Sequence, residues 1–190
     1  MKPGRNPTKI AFAGIICSLF ISAIVGIFVI LIGDFDETEI KILLTAGSLA
    51  GLSILGLPSL FHIERNQYLI IARVGILTAV TGFLAIQLLI WSQGDIGGEV
   101  FWKTVATIGV LAFSTNHVLS LFMARVEKSL VAASRWVTVM AILTVATFIM
   151  YVVWMDEVPE QTIRIFASVV VLDALGTIAF PIIVRLSKIK

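Results

Sequence analysis

The chain is poor in most of the residues from which soluble sites are built. It has one cysteine, two histidines and two tyrosines in 190 residues, and only 14% of its side chains are charged. A single Cys17, set inside an apolar run, cannot close an intrachain disulfide, which excludes a secreted disulfide scaffold. Soluble domains carry about 25% charged residues, so this composition does not describe a surface facing water on all sides. No Gly-rich phosphate loop, Gly-x-Ser-x-Gly elbow, His-Glu-x-x-His or zinc-like Cys/His spacing occurs. A formal charge of +2 is too small for a basic nucleic-acid surface. No enzymatic activity, no cofactor and no nucleic-acid partner is expected.

Apolar residues are what the chain has in excess: 58% are hydrophobic, and the mean hydropathy is +1.04. A transmembrane helix needs about 20 mostly apolar residues. Six stretches qualify: Ile10–Ile32, Ile42–Phe61, Val74–Ser92, Thr104–Ala124, Trp136–Met155 and Ile165–Val184. The connections between them are too short for a folded extramembrane domain. The first stretch exceeds the about 7–15 apolar residues of a signal peptide and is followed by Gly33-Asp34-Phe35-Asp36 rather than a small-residue cleavage site. It is expected to remain as a helix. The fold expected is an all-α membrane protein in a single domain, 1–190, with the lipid bilayer as its first partner.

Charge sorts by side. Of the 14 Lys and Arg, all but Lys41, Lys103 and Arg164 fall at the termini and in the even-numbered connections, including Arg65, Arg125, Lys128, Arg135 and Arg185. The odd connections collect Asp34, Asp36, Glu37, Glu39, Asp95, Glu99, Asp156, Glu157 and Glu160. The excess of basic residues predicts that both termini are cytoplasmic. The mixed segment Met123–Arg135 reads as a short interfacial stretch, drawn by its charge toward anionic lipid.

The even spans repeat one frame. Glu37, Lys41, Thr45 and Leu49 recur as Glu99, Lys103, Thr107 and Leu111, then as Glu160, Arg164, Ser168 and Leu172, at offsets of 62 and 61 residues. Pro58 and Pro181 also correspond. This predicts three tandem helical hairpins (about 10–61, 68–124 and 136–186) around a pseudo-threefold axis. Glu four residues before Lys or Arg is the favoured i,i+4 order, worth about 0.2–0.5 kcal/mol. The three pairs read as interfacial anchors, or as a ring of charges around an outer vestibule. A sector of small residues, with Gly47, Ala50 and Gly51 followed by Ala106, Gly109 and Ala112, predicts close packing of the even helices in the interior.

Few polar groups lie at depth. Asp173 is the one acid far inside a span, where a charge costs about 2.5–3.5 kcal/mol unless it is paired, neutralised or wetted. It reads either as a functional site or as a bond between helices. Repeat alignment places Asn116, His117 and Thr115 at similar depth. His62 is expected at the interface beside Glu64 and Arg65. His117 lies roughly 10 Å deeper, so the two are not expected to share a haem. The Gly94–Gly98 turn reads as a flexible outer loop.

The strings Gly33-Asp34 and Leu172-Asp173-Ala174-Leu175-Gly176-Thr177, leading to Phe180-Pro181, give the chain its resemblance to a type of uncharacterised bacterial six-helix integral membrane protein. That resemblance implies a bacterial inner (plasma) membrane location and assigns no catalytic or binding residue. Two functions follow as expectations. One is a structural or accessory subunit, packed with partner membrane subunits or as a homo-oligomer. The other is a small transporter or channel with Asp173 near the midplane.

Overall fold

The computed structural model describes residues 7–92, 98–126, 128–155 and 158–187. Lys2, Arg5, Asp95, Glu127, Asp156, Glu157, Lys188 and Lys190, together with most of the Gly94–Gly98 turn, lie outside the described residues. Six helices make up the rest: α1 (Pro7–Ile32), α2 (Glu37–Glu64), α3 (Leu69–Trp91), α4 (Gly98–Phe122), α5 (Ser129–Trp154) and α6 (Glu160–Ser187). All 6 are long and apolar enough to cross a membrane, so the chain is a multi-pass, all-helical membrane protein.

Several helices outrun the apolar stretches because polar turns extend them. Asp36 caps α2 by accepting the Glu39 N–H on Oδ1 at 2.7 Å, and Glu39 Oε2 reaches back to the Phe35 N–H at 2.7 Å. This reciprocal pair satisfies donors that a helix start leaves open, and it holds Phe35 at φ 57°, in the left-handed region. α2 and α6 run 28 residues each, while α3 has 23. Pro58 and Pro181 sit inside α2 and α6, where each removes a backbone donor and frees the carbonyl four residues earlier, those of Ile54 and Thr177.

The helices pack as an arc rather than as a closed ring. α1 rests on α2, α2 on α3 and α4, α3 on α4, α4 on α5, and α5 on α6. α1 and α6 therefore stand at the two ends. The interior is not reserved for even helices as the small-residue sector predicts. α4 and α5 are the most buried spans, whereas α6 is as open as α1. α2 is as open as α1 and α6 although α1, α3 and α4 all touch it, so neither composition nor place in the arc alone sets burial. Gly47, Gly51 and Gly109 likewise have open space where a Cβ would point. Close approach occurs elsewhere: a Cβ on Gly75 of α3 would press into the Ser59 hydroxyl, and one on Gly176 of α6 into the Thr138 hydroxyl.

Two cores result. One lies among α2, α3 and α4, built from Gly56, Ser59, His62, Ala72, Gly75, Asn116 and Leu119. The other is an apolar cluster of Leu121, Val131, Val139, Ile142, Phe180 and Val184. It joins α4, α5 and α6 toward the end of the bundle that carries Arg125 and Arg185. That end is called the basic end below, and the end bearing Glu37, Glu99 and Glu160 the acidic end.

Candidate functional site

Helix periodicity puts polar groups from α4 on two sides. Asn116 points toward α2 and α3. Its Oδ1 accepts from the Ser59 hydroxyl at 2.6 Å, and its Nδ2 donates to the carbonyls of Ala112 at 2.9 Å and Gly75 at 3.3 Å. Three turns of three helices are thereby tied at one amide, whose donors and acceptor are all engaged. One turn further toward the basic end, His62 Nε2 lies 2.9 Å from the Leu119 carbonyl. A carbonyl only accepts, so Nε2 carries the proton. His62 is completely buried, edge-on to the rings of Phe61 and Tyr68. The interfacial position expected for it is corrected: the Tyr68 and Phe122 rings roof it over at the helix end.

His117 is the next residue along α4 and faces the other way. Its Nε2 lies 2.9 Å from Thr177 Oγ1 on α6, and the Thr177 hydroxyl donates to Asp173 Oδ1 at 3.3 Å. One hydroxyl proton cannot serve both neighbours, so in this arrangement His117 Nε2–H is the donor to Thr177. His117 Nδ1 is buried with no partner in the chain, and the Phe113 ring stands edge-on to the imidazole. Asp173 is half-buried. Both His117 and Asp173 line a cavity of about 330 Å³ whose other walls include Gly109, Phe113, Ile142 and Ala146. His117, Thr177 and Asp173 form a short relay between α4 and α6. Asn116, expected at the same depth as Asp173, belongs to the other side of α4 and is not part of it.

The three ion pairs form as the spacing implies. Lys41 Nζ meets Glu37 Oε1 at 2.7 Å, Lys103 meets Glu99, and Arg164 meets Glu160 at 2.7 Å. Their surroundings differ. The Lys41 and Lys103 side chains are 16% and 12% exposed, whereas that of Arg164 is 78% exposed. The two half-buried pairs go with a bond that the pattern of charges does not reveal. Trp91 Nε1 of α3 donates to Thr45 Oγ1 of α2 at 3.1 Å, and Trp154 Nε1 of α5 donates to Thr107 Oγ1 of α4 at 3.0 Å. Each odd helix lays an indole over the frame of the even helix before it. On α6 the matching Ser168 bonds to the Arg164 carbonyl, at 3.1 Å, and among the described residues no indole lies over it. The signal was present in the sequence, since Trp91 and Trp154 are separated by nearly the same interval as Thr45 and Thr107.

Among the described residues, no group of three or more His, Cys, Asp or Glu is placed to hold a metal ion. No protein-family model matches this chain, and no curated protein or solved structure matches it.

Proposed function

We propose that the chain is a non-enzymatic structural subunit of a bacterial inner-membrane assembly, with both termini cytoplasmic, and that the assembly is built by head-to-tail association of its own copies. The uncovered frame on α6 carries this reading. Glu160, Arg164, Ser168 and Leu172 repeat a frame whose basic and hydroxyl members are half-buried on α2 (Lys41, Thr45) and on α4 (Lys103, Thr107), yet here Arg164 and Ser168 are exposed. α1 is its counterpart. By the repeat it corresponds to α3 and α5, each of which packs on an even helix on both sides, whereas among the described residues the main packing of α1 is on α2. Counting back from Trp91 by 63 residues, the interval between Trp91 and Trp154, gives Phe28 of α1, which is exposed. α1 of one copy on α6 of the next would complete both ends, a heterologous contact that closes into a ring when the rotation allows.

The recurring Trp–Thr bond also supports three tandem hairpins as the repeating unit. Among the described residues, the hydrogen-bond and ring partners of α6 lie on α4 and α5, which favours tandem repetition over a threefold ring closed within one chain. The charge distribution supports the orientation.

Gentle extraction, sizing and identification of co-purifying chains tests the assembly. With Cys17→Ala as background, Ser168→Cys paired with Phe28→Cys should give cross-linked ladders of this chain alone. A lone monomer without cross-links would overturn self-association, and a stoichiometric foreign chain would replace the second copy with another subunit. For orientation, Ser129→Cys should resist an impermeant thiol reagent added outside intact cells.

The His117–Thr177–Asp173 relay favours a second reading, a small transporter or channel. Against conduction stands the apolar cluster around Phe180 and Val184, which fills the space between the cavity and the basic end. Loss of a transport activity in folded Asp173→Asn would decide for this reading.

A further inference from the structure

At the basic end, the connections α2–α3 and α4–α5 approach each other and leave a cavity of about 610 Å³, lined by Gln67, Tyr68, Phe122, Arg125, Val126 and Arg135. Its floor is aromatic. The Arg135 guanidinium carbon lies 4.3 Å from the centroid of the Phe122 ring, which itself packs edge-on to Tyr68 and Trp136. Stacking fixes the plane of the guanidinium and leaves its edge, with the N–H donors, free to meet a ligand. Arg135 Nε is buried and has no hydrogen-bond partner. No ion pair within the described residues neutralises Arg125 or Arg135. Two arginines and a buried, unpartnered guanidinium nitrogen thus stand at one cavity.

We infer that this cavity binds the phosphate of an anionic phospholipid headgroup, with Arg135 and Arg125 as its cationic ligands. Location selects the source. The cavity lies at the ends of spanning helices, the level at which lipid phosphates stand, and basic pockets between helices on the cytoplasmic side are suited to such headgroups. Shape agrees: a guanidinium offers paired donors that match two phosphate oxygens, while the Phe122 and Val126 surface suits the glycerol and first methylenes of the lipid. The chain itself reaches no carboxylate into the site from the described elements packed around it. The nearest described acid in sequence, Glu64, is exposed at the end of α2 and forms no ion pair there.

The test uses the full chain in nanodiscs of phosphatidylcholine with increasing phosphatidylglycerol, and counts lipid retained by native mass spectrometry after release. The wild type should retain phosphatidylglycerol selectively. Arg135→Gln and Arg125→Gln should each weaken retention by about tenfold, equivalent to about 1.4 kcal/mol. Arg135→Lys should fall between, because it keeps the charge and loses the planar fork. Arg125 is exposed, so its variant keeps the test open if Arg135→Gln fails to fold. Equal retention by the wild type and both Gln variants would overturn the site. Displacement of the lipid by millimolar inorganic phosphate would overturn the lipid assignment in favour of a soluble anion.

Discussion

The two faces of α4 use similar chemistry to opposite ends. Toward α2 and α3, Asn116 and its partners are buried, and each polar atom of the amide has an assigned bond. Toward α6, one residue later, His117 reaches its partner across the edge of a cavity and leaves Nδ1 unused. The first site is complete at the amide, although one turn on His62 Nδ1 is also buried without a partner among the described residues. The second contains more donors and acceptors than the chain employs. In a membrane interior an unused polar group is costly, so closed bonding marks a structural tie and open bonding marks capacity for a ligand, a proton or motion.

The sharpest way to break this contrast is at the glycine that lets the closed site close. Gly75→Val places side-chain carbon against Ser59 and Asn116, and overpacking of this kind costs about 1–3 kcal/mol. Reversible unfolding in mixed micelles should register that loss, while Gly47→Ala, in open space, should leave stability unchanged. Equal effects would mean that the α2–α3–α4 contact is loose. Asn116→Leu strands the Ser59 hydroxyl and should lose about 1–2 kcal/mol by the same assay. On the open side the penalty is smaller and depends on chemistry. Asp173→Leu should lose about 0.6–2 kcal/mol and Asp173→Asn much less, since an amide oxygen still accepts from Thr177. If Asp173→Leu is neutral, the relay bears no load. The smallest effects belong to the anchors. Lys41→Gln and Lys103→Gln should cost on the order of 1 kcal/mol or less, and Arg164→Gln less than either in chains kept monomeric, where its side chain is 78% exposed. A large, selective loss of stability at Arg164 would mean that its face is covered in the membrane.

The spans, their number and the i,i+4 pairs are legible in the sequence, because run length and spacing along one helix need no knowledge of neighbours. The Asp173–Thr177 bond is legible for the same reason. What repeat alignment supplies is depth, and depth is not direction. Asn116 and His117 differ by one residue, or about 100° around the helix, which is enough to send one to α3 and the other to α6. His62 misled because its neighbours in sequence are charged, while its neighbours in space are Phe61, Tyr68 and the Leu119 carbonyl. The edge position of α6 was illegible too, since composition does not encode how many flanks a helix will have.

Unequal helix length ties the open site to its solvent. At 1.5 Å per residue, α6 extends about 42 Å and α3 about 35 Å, against a hydrocarbon layer of about 30 Å. A long helix meets a thin bilayer by tilting. α3 is wedged between α2 and α4 and has little freedom to lean, whereas α6 is held along α5 and meets α4 through the His117–Thr177 bond and, near the basic end, the apolar cluster. Membrane thickness then acts as a mechanical input, and the distance from His117 to Thr177 is where it is felt. Spin labels on α4 and α6, in nanodiscs of short-chain and long-chain lipid, should show that distance changing while the α2–α3 spacing stays constant.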